Sequence, residues 1–336
     1  MEAFGEAFEE HRAHLLRVAY RITGSLVDAE DAVQEAWLRW NALDPAALAG
    51  LRNERAWLAT VVGRLCLDRL RSAAVRRERY VGPWLPEPLI TTPDEDGPLA
   101  IVVRDESVRL AAMVVLERLT PPQRVAFVLH DALDLPFAMI ADVLGCSHAA
   151  ARQHAVRARR IVAEDPPPPA APTAQQQAVL ARFADAMARA DLDALVALLH
   201  PDAVLVNDSD GRVRAARQLV VGADKVARLL LGLAARYGPA TLDAYPVLVN
   251  GEAGIFVPGT DELPASVTTL TVQDGRILAV NGVLNPEKFD AEKLNAAKLS
   301  AGKAKTETVN IETVKAAQLD AGKLATTGTP RRNPDR

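Results

Sequence analysis

The 336-residue chain lacks the means to build a cross-linked or membrane-bound protein. Its two cysteines, Cys66 and Cys146, are too few for a disulfide framework and fit a reducing cytoplasm, which is the expected location. No C-x-x-C pair and no Cys/His group has zinc spacing, so no metal site is expected. No uninterrupted apolar run reaches the ~18 residues of a spanning helix, so no membrane partner is expected. The start, Met1-Glu-Ala-Phe-Gly-Glu-Ala-Phe-Glu-Glu, has neither the basic stretch nor the apolar core of a secretory signal. Aromatic residues make up 4%, which speaks against a broad base-stacking surface.

What is present is the balance of a globular chain: 49% hydrophobic, 24% charged, formal net charge −4. The length exceeds one ordinary domain. Prolines mark the boundaries. Residues 82–98 and 165–172 are proline-rich, and each proline pushes its predecessor out of helical geometry, so both read as extended linkers. Past residue 285 the composition shifts to Ala, Lys, Thr and Glu. Four parts result: 1–81, 99–164, 173–285 and a tail, 286–336.

The first two parts read as all-helical. Asp28 is the expected cap of a helix in which Val33, Trp37 and Trp40 share one face. Asp31, Gln34, Glu35 and Leu38 share another. The third part mixes helices with six strands, around Ala203–Val206, Leu219–Val221, Leu242–Val249, Gly254–Val257, Val267–Val272 and Ile277–Leu284. Asn250-Gly251 and Asp274-Gly275 are hairpin turns whose residues must take positive φ. A helical face on a curved antiparallel sheet follows. In the tail, Phe289, Leu294, Leu299 and their successors recur every five residues, which matches neither helix nor strand. A flexible or weakly helical extension is expected there.

The strongest local signal spans Thr120 to Arg160. Thr120-Pro-Pro-Gln is a capping box with proline at the first helical position. Phe137 to Leu144 is a helix that Gly145 can end in the left-handed conformation, and Ser147 can cap the next. Ala141, Val143 and Leu144 are expected to pack on Ala151 and Val156. Such a helix fits the major groove, where His148, Ala149, Arg152 and Gln153 lie in the stretch that would reach base edges. Arg157, Arg159 and Arg160 would meet phosphates. Residues 145–160 hold four arginines and no acid. The plain alternative is an αα-hairpin with a solvated basic face. A second basic strip spans residues 52–79, with eight arginines against three acids. Backbone phosphates bind such a strip largely regardless of sequence.

These residues resemble a known family. Asp28-Ala-Glu-Asp-Ala-Val-Gln-Glu-Ala-Trp-Leu-Arg-Trp and Arg55-Ala-Trp-Leu-Ala-Thr-Val-Val-Gly-Arg-Leu-Cys-Leu-Asp-Arg-Leu-Arg-Ser are similar to region 2 of extracytoplasmic-function sigma factors. Leu119-Thr-Pro-Pro-Gln-Arg-Val-Ala-Phe and the helix-turn-helix are similar to region 4. Tyr80-Val-Gly-Pro-Trp-Leu-Pro-Glu-Pro-Leu, His200-Pro-Asp-Ala and Asn285-Pro-Glu-Lys-Phe are similar to the sigma-J-like subgroup, which carries a fused SnoaL-like domain. The resemblance implies two all-α modules, the second with a helix-turn-helix, then an α+β cone-shaped domain and a flexible tail.

It also implies roles. Asp31, Gln34, Glu35 and Leu38 would dock on the β′ clamp of core RNA polymerase, and region 4 on the β flap. Arg64, Asp68, Arg69, Arg71 and Ser72 would recognise and open the −10 element, with Arg76 and Arg77 on its backbone. Ser147, His148, Ala149, Arg152, Gln153 and Arg157 would read the −35 element. No cofactor and no catalytic residue is implied. A small ligand in the C-terminal domain is an open expectation, and that domain would act as a built-in regulator. Two other readings compete. One is a ligand-sensing DNA-binding regulator that uses the helix-turn-helix alone. The other is a cyclase or isomerase, for which His200 would have to be more than a helix-end residue and Asp208 and Asp210 more than turn residues.

Overall fold

The computed structural model describes residues 2–44, 46–47, 50–51, 53–77, 79–91 and 98–295. The side chains of residues 2–7, 74–78, 98 and 100, and the tail from residue 296, lie outside the described residues.

Three long helices form the N-terminal module: α1 (Glu2–Thr23), α2 (Leu26–Asn41) and α3 (Glu54–Arg77). The cap of α2 is Ser25, not Asp28. The Ser25 hydroxyl accepts the Asp28 amide at 3.2 Å, which leaves Asp28 as a first-turn acid at the positive end of the helix. Trp40 is fully buried against Trp57, with ring centroids 5.7 Å apart, and Trp37 packs on Phe8 at 4.9 Å.

The next module has α4 (Pro98–Val103), α5 (Leu110–Leu116), α6 (Pro121–Leu133), α7 (Phe137–Leu144) and α8 (His148–Glu164). The Thr120 amide donates to Gln123 Oε1 at 3.0 Å, as a capping box requires. Gly145 ends α7 at φ 65°, and Ser147 caps α8 by accepting the Ala150 amide. Val156 does not face the core as expected: it is 54% exposed, and Ala151, Ala155 and Ala158 make the buried stripe instead. Small residues let α8 approach its neighbours closely.

The two modules share one hydrophobic core, running from Leu15, Tyr20 and Leu58 through Val125 and Leu129 to Ile140 and Ala151. Gly63 on α3 permits the contact, because a Cβ there would stand 3.0 Å from Leu129 Cδ1. The buried Arg124 guanidinium on α6 donates to the Arg21 carbonyl on α1 at 2.8 Å and pairs with Glu117.

One pH effect arises within α1–α3. The two ring nitrogens of His14 face Arg17 and Arg55 at 2.5 and 2.9 Å, and a neutral ring can accept only one of them. Burial, then the two cations, lower its pKa to about 4. Asp105, on the α4–α5 connection, opposes this weakly. The folded state therefore prefers the neutral ring, and the unfolded chain takes up the proton first. Stability is full above about pH 6.5 and declines as pH falls toward 4. Urea midpoints should drop across that window, and less so in His14→Gln.

The C-terminal domain packs α9 (Thr173–Ala188), α10 (Leu192–Leu198) and α11 (Ala223–Tyr237) on a seven-stranded sheet. The strands are β1 (Ile90–Thr91), β2 (Leu199–Asp208), β3 (Val220–Val221), β4 (Tyr245–Val249), β5 (Glu252–Val257), β6 (Ser266–Gln273) and β7 (Arg276–Val283). Their order is β1-β4-β5-β6-β7-β2-β3, antiparallel except for β2 beside β7. Both hairpin turns have the expected positive φ: 53° and 78° at Asn250-Gly251, 51° and 75° at Asp274-Gly275. Phe289 and Leu294 pack on the back of the sheet with Phe256 and Ile90.

The linker is more than an extended connector. Ile90 and Thr91 pair antiparallel with Val249 and Leu248, so the segment between the helical modules supplies the sheet's edge strand.

Candidate nucleic-acid and polymerase interfaces

The helix-turn-helix presents α8 outward. His148, Ala149, Arg152, Gln153 and Arg157 are exposed, as is Ser147 at the cap. Arg152 and Arg157 have no carboxylate partner among the described residues, whereas Arg159 pairs with Asp131 at 3.0 Å and Arg160 with Glu164 at 3.4 Å. Of the three arginines expected to meet phosphates, only Arg157 is free to do so without exchanging a partner. His154 lies half-buried beside them, its pKa lowered by burial and by Arg157.

On α3 the exposed set is Arg64, Asp68, Arg71 and Ser72, with Arg69 partly covered. They lie one helical turn apart, so one face of α3 carries them. Arg64 reaches across to donate to the Asp142 carbonyl on α7 at 3.3 Å. Asp68 accepts a long contact from Arg71 at 4.0 Å, and the Ser72 hydroxyl donates to the Asp68 carbonyl. The backbone of α3 reaches Arg76 and Arg77, but their side chains lie outside the described residues.

On α2, Asp31, Gln34 and Leu38 are exposed, and Leu38 is 61% exposed although apolar. Glu35 pairs with Arg39 at 2.6 Å and approaches Arg69 at 3.7 Å, so the α2 and α3 surfaces meet at one carboxylate.

The linker occupies the junction between these surfaces and the C-terminal domain. Glu87 accepts the Leu26 amide at the start of α2 at 2.8 Å, and its own amide donates to Gly24. The Tyr20 hydroxyl donates to the Glu87 carbonyl at 2.7 Å. On the opposite side Asp208, fully buried at the end of β2, accepts the Tyr80 hydroxyl, the Leu85 amide at 2.6 Å and the Lys288 ammonium at 2.7 Å. Lys288 also donates to the Leu85 carbonyl and stands 3.2 Å from the Trp84 ring centroid. Asp208 is thus a strand-end anchor rather than the expected turn residue. Asp210 does sit in a turn, at φ 50°, and accepts the Val81 amide. Burial, then the bond to Asp208, push the Tyr80 phenol well above its usual pKa.

A second junction is the β4–β5 hairpin. Asn250, fully buried, bonds Leu89 through its backbone amide and its side-chain oxygen, and donates from Nδ2 to Tyr20 and the Val108 carbonyl. The buried Arg109 pairs with Glu252 at 2.8 Å and donates to the Pro168 carbonyl in the second linker. Burial raises the pKa of Glu252 against the pull of Arg109. Sequence reasoning missed Asn250, Arg109, Glu252 and Arg124. Only the Asn-Gly pair left a local signal, and that signal spoke of the turn.

Two helical modules, a capped helix-turn-helix and an arginine-lined helix define the extracytoplasmic-function sigma factors, promoter-specific transcription initiation factors that act with core RNA polymerase. The chain belongs to that family. Residues 7–76 match the family model Sigma-70 region 2, and residues 109–162 match Sigma-70, region 4. The chain is 51% identical over 290 residues to the ECF RNA polymerase sigma factor SigJ of Mycobacterium tuberculosis, covering 84% of this chain and 92% of that one. It is 36% identical over 291 residues to the probable sigma factor SigI of the same organism, covering 84% and 94%. Its fold matches the crystal structure of M. tuberculosis SigJ with a TM-score of 0.70 at 48% identity, covering 85% of this chain and 98% of that one. No helix among the described residues is long and apolar enough to cross a membrane.

Proposed function

We propose that this compact arrangement is the resting form of the sigma factor, and that the C-terminal domain sets how readily it opens. The observation that carries the reading is the single core shared by the two helical modules. The −10 and −35 elements are separate sites on one duplex, set apart by about 3.4 Å for every intervening base pair. Modules packed on one another do not span that distance. In the open form, Asp31, Gln34, Glu35 and Leu38 dock on the β′ clamp while region 4 sits on the β flap. Arg64, Asp68, Arg69, Arg71 and Ser72 meet the −10 element, with Arg76 and Arg77 on its backbone. Ser147, His148, Ala149, Arg152, Gln153 and Arg157 meet the −35 element. Two tethered modest contacts then give one specific complex.

Asn250→Ala tests the reading. It removes the Nδ2 bonds to Tyr20 and Val108 and the Oδ1 bond to Leu89. At roughly 1 kcal/mol each, loss of two or three such bonds favours opening by about tenfold or more. Tighter core-polymerase binding is expected. Affinity at or below that of the parent chain argues against a closed resting form.

Base reading has its own test. Arg152→Ala should cost about 1–3 kcal/mol at promoters with the preferred −35 sequence and little elsewhere. Arg157→Ala should weaken all promoters alike and reduce the salt dependence. Equal loss at every promoter from Arg152→Ala would remove it as a reader.

The C-terminal domain acts in this reading by binding, not turnover. Its cavity is lined mainly by leucines, alanines and other apolar side chains, which supports binding of an apolar body, and Tyr237 is the one lining group of a type that commonly moves protons. His200 is outside the lining, its Nδ1 accepting the Asp202 amide at 3.2 Å.

A further inference from the structure

The sheet of the C-terminal domain has two unlike faces. One side of β2 turns Leu205 and Asn207 toward a cavity of about 390 Å³ beneath α9 and α11. The other turns the buried Asp208 toward the linker. The same alternation holds where β7 leaves the sheet: Val280 and Leu284 line the cavity, whereas the Asn285 side chain donates to Tyr80 at 3.1 Å. Gly282, between them, leaves room for Asn207, whose Oδ1 would stand 2.6 Å from a Cβ there.

The lining is apolar, with leucines, alanines, Phe183 and Met187 prominent. Its charges are of one sign only. Arg214 and Arg236 line the cavity while remaining exposed, which puts their cationic ends at its mouth. Neither has a carboxylate partner among the described residues, and Arg236 has only the Tyr237 ring, 5.4 Å from its guanidinium carbon. This volume is within the usual range for small-ligand sites. Two unpaired guanidiniums at the entrance to an apolar chamber match an anionic head on an apolar body.

We propose that the cavity is a binding site for a small amphiphilic carboxylate, held by Arg214 and Arg236 at the mouth with its hydrocarbon part inside. The ligand presses on Asn207 and Leu284, whose immediate neighbours Asp208 and Asn285 hold the linker. This second step rests on the proposed regulatory role; the binding step does not.

The test uses the full-length chain and sodium decanoate, below its micelle concentration, by titration calorimetry. One molecule should bind per chain. Decanol and decylamine should bind at least tenfold more weakly, because each lacks the carboxylate. Each methylene removed from the acid should weaken binding by about fourfold. Arg214→Met and Arg236→Met, both at exposed positions, should each weaken decanoate by about tenfold while the thermal midpoint stays put. Absence of binding, equal binding of decylamine, or unchanged affinity in both arginine variants overturns the proposed site. Decanoate should also change promoter-specific transcription by the reconstituted holoenzyme at least twofold, and in Arg214→Met the same change should require about tenfold more decanoate. Tight binding with no effect on transcription would overturn the coupling to the linker and leave the ligand class standing.

Discussion

Lys288→Met is expected to destabilise the chain by about 3–5 kcal/mol, because it strands a carboxylate with no access to water. Asp208 is fully buried and Lys288 is 7% exposed at the side chain, 2.7 Å from it. Without the ammonium, Asp208 keeps the Tyr80 hydroxyl and the Leu85 amide as its side-chain donors among the described residues. Urea unfolding at neutral pH measures the loss. Tryptophan fluorescence adds a local readout, since the ammonium that leaves lies on the Trp84 ring. Asp208→Asn combined with Lys288→Met should cost less than the two single changes together, because removing both charges removes the unpaired one. Strict additivity would show that the pair is not coupled.

Leu38→Asp should leave the stability of the free chain within about 0.5 kcal/mol, since the side chain is 61% exposed. Binding to core polymerase should nevertheless weaken by about thirtyfold, a loss of roughly 2 kcal/mol typical of a central contact in an interface. Asp31→Ala and Gln34→Ala, on the same exposed face, should each weaken binding by less. Binding competition against the parent chain measures all three. Parent-like affinity of Leu38→Asp would move the docking surface off this face of α2.

The sequence made the local devices legible. Gly145 at a left-handed helix end, Ser147 as a cap, the Thr120 capping box and both Asn/Asp-Gly turns are each written in two to four adjacent residues, and each is found where its chemistry requires. The exposed face of α2 was legible for the same reason, since helical spacing alone separates Asp31, Gln34 and Leu38 from Val33 and Trp40, whereas on α8 Val156 is exposed where a core position was expected. The cap of α2 was misplaced by three residues because Ser25 and Asp28 are both good caps, and only the backbone geometry chooses.

What stayed hidden is the set of contacts between distant parts. Asp208 meets Leu85, Asn250 meets Tyr20 and Arg109 meets Glu252 across 123, 230 and 143 residues. Each is a polar side chain made buriable only by a partner from another segment, and no periodicity announces such a partner. The same holds for Ile90 and Thr91, whose prolines mark an extended segment but not the sheet edge that receives it. Whole-chain charge was equally silent. Residues 173–285, with nine basic against twelve acidic side chains, mask the basic helices that precede them.

Opening of the two helical modules is measured most directly by the distance between them. Labels can be placed through Glu9→Cys on α1 and Glu164→Cys on α8, both exposed, in a chain carrying Cys146→Ser, while Cys66 stays buried. Energy transfer should report a short separation in the free chain. In a holoenzyme engaged on its promoter, the separation should grow, because the two modules then sit on separate sites of one duplex at about 3.4 Å per intervening base pair. An unchanged short separation in a complex that is making transcript would contradict a closed resting form.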